Sequence, residues 1–208
     1  MITPLLPALV RLLTGVRLTT SASEVPDHPP RVYFGNHSSH LDFLLIWAAL
    51  PAALREKTRP VAARDYWEAN ALRRRLAQQT FRALLVDRGC FCRQSNPLQE
   101  MVDTLNDGHS LIVFPEGTRE SNGELQDFKS GLYHLAKHRP KTEFVPVWLE
   151  NAFRILPKGE ILPLPLLASL HFGSPLSLQP TDNKPSFLTR CRESLLALRE
   201  QTPPSPRS

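Results

Sequence analysis

Residues 31–50 read RVYFGNHSSHLDFLLIWAAL, a stretch that joins two apolar segments through a polar turn. The run at 31–35 is rich in β-branched and aromatic residues and predicts a strand. The segment at about 40–50 is long and almost entirely apolar after its first residues, which predicts a buried helix. A strand that leads directly into a helix is the building unit of α/β domains. We therefore expect a fold of that class.

The same alternation of short apolar runs and longer helical patterns continues along the chain. Further strands are predicted at 60–63, 83–87, 110–114, 144–149 and 168–173. Further helices are predicted at about 66–80, 96–107, 128–138 and 184–200. The predicted fold is a single α/β domain with a mixed, largely parallel sheet flanked by helices. The domain is expected to cover 21–200, between an N-terminal segment (1–20) and a disordered, Pro-rich tail (201–208).

Composition places the chain among ordinary folded proteins. Its 208 residues are enough for one domain with a sizeable core, and hydrophobic residues make up 41% of them. The three cysteines, at positions 90, 92 and 191, cannot all pair, and no second Cys/His pair lies at the spacing of a zinc site. We therefore expect a reducing cytoplasm and no structural metal.

Basic residues are concentrated between Arg55 and Arg93. This segment holds ten Arg and Lys residues and four acidic ones, which gives it a local net charge of +6. Such a segment suits a polyanion, an anionic membrane surface or a phosphorylated substrate, although a solvated helix face explains Arg73–Arg75 equally well. Nucleic acid is disfavoured as a partner, because no helix-turn-helix, zinc-finger or aromatic RNA-binding pattern accompanies the charge.

The N-terminal segment, MITPLLPALVRLLTGVRLTT (1–20), is apolar and carries only basic charges, at Arg11 and Arg17. It is too short and too interrupted by prolines to span a bilayer. A signal peptide would carry its positive charge before the apolar run. Its leucines follow helical spacing, at positions 5, 6, 9, 12 and 13. We predict a short amphipathic helix that either lies in the membrane interface or packs on the domain.

The polar turn Asn36–Asp42 (NHSSHLD) has two interpretations. Ser39-x-x-Asp42 fits a capping box, in which Ser39 bonds a backbone N–H and Asp42 reaches back. Such a cap does not require His37. If His37 lies in the turn and Asp42 in the first helical turn, the carboxylate can fix the imidazole tautomer and leave the other ring nitrogen free as a base. His37 is the favoured base, with His40 as a residue of the helix start.

Polar clusters directly follow three of the predicted strands. They are NHSSHLD after the first, Asp87–Gly89 after the third and FPEGTRE (114–120) after the fourth. Ligands of open α/β sheets bind outside the carboxyl ends of the strands, so we expect the clusters to converge on one cleft. Arg119 suits bidentate recognition of phosphate or carboxylate, although an ion-paired surface turn explains the same stretch. Lys129 is either an anion contact or a charge at a helix start.

Several chemistries are disfavoured because their sequence patterns are missing. The chain contains no G-x-S-x-G nucleophile elbow, no P-loop, no G-x-G-x-x-G and no H-E-x-x-H. What remains is a His–Asp base, arginines for an anion and apolar segments compatible with a membrane. This combination indicates deprotonation of a hydroxyl group on a phosphorylated, lipid-like substrate.

Four blocks of the chain resemble those of the glycerolipid acyltransferases, the lysophosphatidic acid acyltransferase family. NHSSHLD is similar to the family's His-x4-Asp block, FPEGTRE to its second hallmark, LLVDRG to the arginine-bearing block between them and FVPVWLEN to its later Pro-containing block. The blocks occur in the family's order, and the similarity extends over about residues 30–177. The resemblance implies direct transfer of an acyl group from acyl-CoA or acyl-carrier protein to a glycerol hydroxyl, and the family's members act on different acceptors. Our leading prediction is an O-acyltransferase that acts on the free hydroxyl of 1-acyl-sn-glycerol-3-phosphate.

The resemblance also implies roles for individual residues. His37 would be the general base and Asp42 its orienting carboxylate, while Pro146 would shape the acyl-donor site or the pocket. The implied substrate-binding residues are Arg88, Glu116, Gly117, Thr118, Arg119, Lys129 and Pro146. A thioester already has a good leaving group, so neither a metal nor another cofactor is expected.

The expected partners are the acyl donor, a lysophospholipid acceptor and a membrane surface. The expected location is the cytoplasmic face of the membrane, peripheral or interfacial. Three alternatives stay open: the same chemistry on another acceptor such as glycerol-3-phosphate, a thioesterase that uses the same His–Asp pair, and a membrane-binding protein without activity.

Overall fold

The structure, a computed structural model, describes residues 7–8, 10, 17–18, 29–39, 42–87, 96–118, 124–150 and 169–201. Within these ranges the chain forms a seven-stranded sheet. The strands are β1 (Arg17–Leu18), β2 (Arg31–Gly35), β3 (Thr58–Ala63), β4 (Leu84–Val86), β5 (Ser110–Val113), β6 (Glu143–Glu150) and β7 (Ser169–Phe172). Their order across the sheet is β1-β7-β6-β2-β5-β3-β4, and all neighbours are parallel except β6 with β7.

Helices cover both faces of this sheet. They are α1 (Asp42–Ala49), α2 (Ala52–Glu56), α3 (Arg64–Trp67), α4 (Ala71–Arg75), α5 (Pro97–Asn106), α6 (Gly131–His138) and α7 (Lys184–Glu200). The prediction of an α/β domain with a mixed, largely parallel sheet is confirmed, and each of the six predicted strands overlaps an observed one. None of the helices in the described ranges combines the length and the apolarity needed to cross a bilayer.

The helix predicted at 66–80 is a difference between the sequence prediction and the structure. In its place lie α3, the separate helix α4 and a π-helical turn at Leu76–Thr80. Asn70 explains the break, because its side chain accepts a hydrogen bond from the backbone N–H of Arg73 at 2.8 Å and so caps a new helix. Asparagine is among the strongest N-cap residues and is unfavourable inside a helix.

Two apolar layers enclose the sheet. On one face, α1 contributes Phe43, Ile46 and Trp47, which pack with Tyr33 of β2. On the other face, α5, α6 and α7 cover Phe34 and Phe144, and α7 itself buries residues at helical spacing (Phe187, Cys191, Leu195 and Leu198). Burial raises the pKa of the Cys191 thiol to about 12, so this thiol is inert.

The N-terminal segment is described at only a few positions. Pro7, Ala8 and Val10 are helical, and Val10 is buried in the α1 layer, which agrees with a helix that packs on the domain. Further along, Arg17 and Leu18 form strand β1 beside β7, an element that the sequence prediction did not contain. The remaining residues of 1–20, and the tail at 202–208, lie outside the described residues.

Candidate active site

His37 and Asp42 meet across the turn between β2 and α1. Nδ1 of His37 lies 2.9 Å from Oδ2 of Asp42. A carboxylate can only accept in this contact, so Nδ1 carries the proton and Nε2 is left with a free lone pair. The Asp42 side chain is fully buried, whereas the His37 side chain keeps 18% of its surface exposed and lines a cavity. The pair therefore presents a basic nitrogen to that cavity.

Asp42 is held in place by the backbone of the turn. Its Oδ2 also accepts hydrogen bonds from the N–H groups of Ser38 at 2.7 Å and Ser39 at 2.8 Å. The Ser39 bond is the half of a capping box in which the carboxylate reaches back, and the first helical turn favours negative charge there. Asp42 therefore makes the reach-back half of the capping box and contacts His37 with the same oxygen.

Phe114 stacks on the imidazole of His37. The ring centroids are 4.3 Å apart and the planes differ by 17°. Phe114 directly follows β5, and β5 is the parallel neighbour of β2, so the two strand ends place the rings face to face. Asp42 and Phe114 together fix both the tautomer and the orientation of the imidazole. Phe114 was not among the predicted site residues, although FPEGTRE begins with it.

Glu116 joins the turn that carries His37 to the loop that carries Gln126. Its Oε1 accepts a hydrogen bond from the backbone N–H of His37 at 2.8 Å, and its Oε2 accepts one from the backbone N–H of Gln126 at 2.9 Å. The residue is 2% exposed, and this burial raises the pKa of the carboxyl, against the two backbone donors and His37, which lower it. Both carboxyl oxygens are thus engaged by the protein backbone, and Glu116 is not among the residues that line the cavity.

Asn36 anchors the turn to the neighbouring strand β6. Its Nδ2 donates to the carbonyl of Leu149 at 3.0 Å, and its Oδ1 accepts from the N–H of Leu149 at 2.8 Å. At Gly35 there is no room for a side chain, since a β-carbon would lie 2.9 Å from the carbonyl oxygen of Val147. Neither residue was predicted as part of the site. The available signal was the asparagine directly before His37.

Gly117 lies in the turn after β5 (residues 115–117), and Lys129 is bonded to that turn. Both residues line the cavity. The N–H of Gly117 donates to the carbonyl of Phe114 at 3.1 Å, and the N–H of Lys129 donates to the carbonyl of Pro115 at 2.8 Å. Gly117 has φ +72°, a conformation that residues with a β-carbon rarely adopt. Thr118 and Lys129 are exposed, which leaves the Lys129 ammonium available to an anion.

Pro146 is the one remaining predicted residue that the structure describes, and it is not brought to this group. Pro146 lies within β6, paired with Phe34 and packed against Gly173, and is not a residue of the cavity wall. Arg88, Arg119 and His40 lie outside the described residues.

The cavity beside His37 has a volume of about 270 Å³. It lies at the carboxyl ends of β3, β4 and β5, and most of its lining is apolar (Phe43, Val61, Ala62, Ala63, Val86, Met101, Val113, Phe114, Pro115, Leu132 and Leu135). Tyr66 and Trp67 of α3 complete the wall. A largely apolar cavity with a few polar groups suits a ligand with a hydrocarbon portion and one reactive polar group.

In the described ranges, no group of three or more His, Cys, Asp or Glu side chains is arranged to hold a metal ion. The contacts of His37 and Asp42 supply a carboxylate-oriented imidazole at an apolar cavity, with Lys129 at its wall.

Comparison with known proteins indicates the family of the chain. Residues 17–150 match the family model described as Acyltransferase. Over 145 residues the chain is 32% identical to 1-acyl-sn-glycerol-3-phosphate acyltransferase alpha from Homo sapiens, covering 68% of this chain and 48% of that protein. It is 29% identical over 165 residues to 1-acyl-sn-glycerol-3-phosphate acyltransferase from Limnanthes alba, covering 72% of this chain and 53% of that protein.

A solved structure shares the fold. The crystal structure of the 1-acyl-sn-glycerophosphate (LPA) acyltransferase PlsC from Thermotoga maritima aligns with a TM-score of 0.74, over 96% of this chain and 77% of that one, at 19% identity. The chain spans about half the length of the curated relatives it matches. It belongs to the Acyltransferase family, and its relatives place it with the glycerolipid acyltransferases of the lysophosphatidic acid acyltransferase type.

Proposed function

We propose that the protein transfers a fatty acyl group from acyl-CoA or acyl-carrier protein to the free hydroxyl of 1-acyl-sn-glycerol-3-phosphate, a step of phospholipid biosynthesis. The observation that carries the proposal is the His37–Asp42 pair, whose free imidazole nitrogen faces an apolar cavity in a chain of this family. The names of the relatives support the choice of acceptor.

The chemistry follows from the geometry of the pair. Nε2 of His37 removes the proton from the acceptor hydroxyl while the hydroxyl oxygen attacks the thioester carbonyl carbon. When the C–S bond breaks, the thiolate leaves and receives from the imidazolium the proton that came from the hydroxyl. The products are an ester and a free thiol. A positioned general base contributes roughly 10²–10⁴-fold to such a reaction. The Asp42 carboxylate stabilises the imidazolium while it exists.

In this proposal, the acyl chain of the donor and the phosphate of the acceptor contact different groups of residues. The apolar cavity would take hydrocarbon from the acyl chain, since its wall is made of aliphatic and aromatic side chains. Lys129 at the cavity wall would contact the acceptor phosphate, with Arg88 and Arg119 as further anion contacts implied by the family's blocks. The protein would act at the cytoplasmic face of the membrane as a peripheral or interfacial protein, in keeping with a lipid acceptor and a basic segment.

Release of free thiol tests the proposal directly. The full chain is incubated with acyl-CoA or acyl-carrier protein and lysophosphatidate, and the thiol is titrated while phosphatidic acid is followed by mass spectrometry. We expect acceptor-dependent thiol release that His37→Ala abolishes. His134→Ala, an exposed histidine on α6, is the matched control and should keep full activity.

The same assay separates the alternatives. Thiol release without any acceptor, unchanged when lysophosphatidate is added, would show a thioesterase. Glycerol-3-phosphate or another lysolipid as the preferred acceptor would keep the chemistry and change the substrate. Equal use of acceptors without phosphate would argue against the roles of Lys129, Arg88 and Arg119.

A further inference from the structure

The segment Ala71–Thr80 exposes two leucines on one face. Leu72 is 69% exposed and Leu76 is 37% exposed, and they are the large hydrophobic side chains that are exposed among the described residues. Four positions separate them, and Leu76 keeps helical backbone angles at the end of α4, so the two side chains lie one above the other. The two leucines therefore form a small apolar strip on the surface.

Arginines surround these leucines. From Ala69 to Arg82 the chain has four arginines and no acidic residue, and Arg74 and Arg75 are exposed on α4. Three basic residues earlier in the chain are engaged within the protein: Arg55 with the Leu50 carbonyl and the Trp47 ring, Arg59 with His109, and Arg64 with Asp87. Arg74 and Arg75 therefore place exposed positive charge directly beside the two leucines.

The inner side of the same segment is fixed to the cavity wall. The guanidinium of Arg73 lies 4.5 Å from the ring centre of Tyr66, which lines the cavity. Ala77 is fully buried, and Phe81, just after the π turn, packs edge-on against Phe43 and Trp67 of the same wall. The segment therefore has one face committed to the cavity wall and one face of leucines and arginines directed outward.

We propose that Leu72, Arg74, Arg75 and Leu76, named here the α4 surface, dock on an anionic lipid bilayer. The leucines would enter the boundary between headgroups and acyl chains, and the guanidinium groups would reach the lipid phosphates. Docking would hold the cavity wall close to the lipid layer, with the segment Ala71–Thr80 between them. This inference rests on the proposed function for the choice of a lipid layer as partner, and adds the surface that meets it.

The size of the α4 surface favours a bilayer over an acidic protein such as an acyl-carrier protein. A stable protein interface covers about 800 Å² on each partner, with some 20–30 residues a side. Two leucines and two arginines on a short helix are far smaller than that. A bilayer demands no complementary shape, and each arginine near an anionic surface strengthens binding about fivefold.

Vesicle sedimentation of the full chain tests the proposal, with vesicles of equimolar phosphatidylglycerol and phosphatidylcholine. Arg74→Gln/Arg75→Gln should lower the partition coefficient roughly 25-fold, and high salt should remove most of this difference. Leu72→Ser/Leu76→Ser should lower it about tenfold or more, with little dependence on salt. Because all four side chains are exposed, both variants should keep the wild-type melting temperature.

The matched control is Lys137→Gln/Lys141→Gln, which removes the same charge from exposed residues in the last turn of α6 and just before β6, at the amino end of that strand and so away from the cavity at the carboxyl ends. It should change the partition coefficient by no more than about twofold. Wild-type binding by both α4 variants would overturn the proposal, and so would an equal loss in the control. Binding to acyl-carrier protein instead of vesicles, lost in the same variants, would also overturn it in favour of a protein partner.

Turnover measured beside vesicle binding distinguishes a failure of this inference from a failure of the proposed function. Both α4 variants should retain wild-type turnover on substrates dispersed in detergent, because neither changes a residue at His37. A wild-type chain that binds vesicles through these residues but releases no thiol would contradict the proposed function and leave the docking surface in place.

Discussion

Replacing Glu116 by glutamine tests whether this residue positions His37 or binds the acceptor. The carboxylate joins two loops through the backbone N–H groups of His37 and Gln126, at 2.8 and 2.9 Å. An amide has one oxygen and one NH₂ group, so it can accept only one of these bonds and turns a donor toward the other N–H. The turn that carries His37 is then held on one side only.

The structure sets the size of the expected effects. A hydrogen bond to a charged group contributes about 1.5–3 kcal/mol, so the loss of one such bond should lower the free energy of unfolding by about 2 kcal/mol. For a chain of this size that is a drop of roughly 4–8 °C in melting temperature. A displacement of His37 on the order of 1 Å would lower kcat roughly 10²-fold. The KM for the acceptor should stay near the wild-type value, since Glu116 does not line the cavity.

Steady-state kinetics and thermal unfolding of Glu116→Gln measure these effects. Glu193→Gln, which removes the same charge from an exposed position on α7, is the control and should change neither quantity. A wild-type kcat together with a raised KM for the acceptor would refute the positioning role. That outcome would favour the substrate-binding role that the family resemblance implies.

The remaining predictions concern the carboxylate pair, the turn anchor and the turn glycine. Asp42→Asn should lower kcat roughly 10³–10⁴-fold with the fold intact, because the amide cannot hold the imidazole tautomer as a carboxylate does; wild-type kcat would exclude the pair as the base. Asn36→Ala should cost about 2 kcal/mol in urea unfolding, since it removes two hydrogen bonds to one backbone residue. Gly117→Ala should cost about 1–2 kcal/mol because of its φ of +72°, whereas Gly131→Ala, with open space at its β-carbon and a helical position, should be neutral or stabilising; equal effects would contradict the argument. Burial raises the pKa of Glu116 above its ordinary value of 4.5, so the stability linked to this shift is present below pH 4.5 and is lost as pH rises through the folded-state pKa; the unfolding free energy of wild type relative to Glu116→Gln should therefore fall across that window, down to the difference that the carboxylate hydrogen bonds maintain above it.

Local patterns were sufficient to predict most of the elements. The run at 31–35 and the helix at 184–200 were predicted with the bounds that the structure shows, because apolar spacing and flanking caps are local properties. The helix at 66–80 was not, since one asparagine cap at Asn70 divides an otherwise helical pattern. Strand β1 has only two residues, which is too short to produce an alternating pattern.

In the candidate site, contacts between residues close in the sequence were predictable, whereas contacts between distant residues were not. His37 and Asp42 are five positions apart, so the strand–turn–helix pattern of residues 31–50 was enough to predict that they meet. Glu116 is 79 positions from His37, and Leu149 is 113 positions from Asn36. Nothing in the local patterns indicated that Glu116 bonds the backbone of His37 and that Asn36 bonds that of Leu149.

The sequence by itself determined the class of fold, the contact between His37 and Asp42, and the family. Tertiary structure alone decided which side chains surround that pair: the stacked ring of Phe114, the support from Glu116 and Asn36, and the apolar cavity. The physical reason is the strand order, which places β2 between β5 and β6 and so brings the ends of strands that are distant in the chain together. Periodicity records which residues are buried, but it does not record which strands lie side by side.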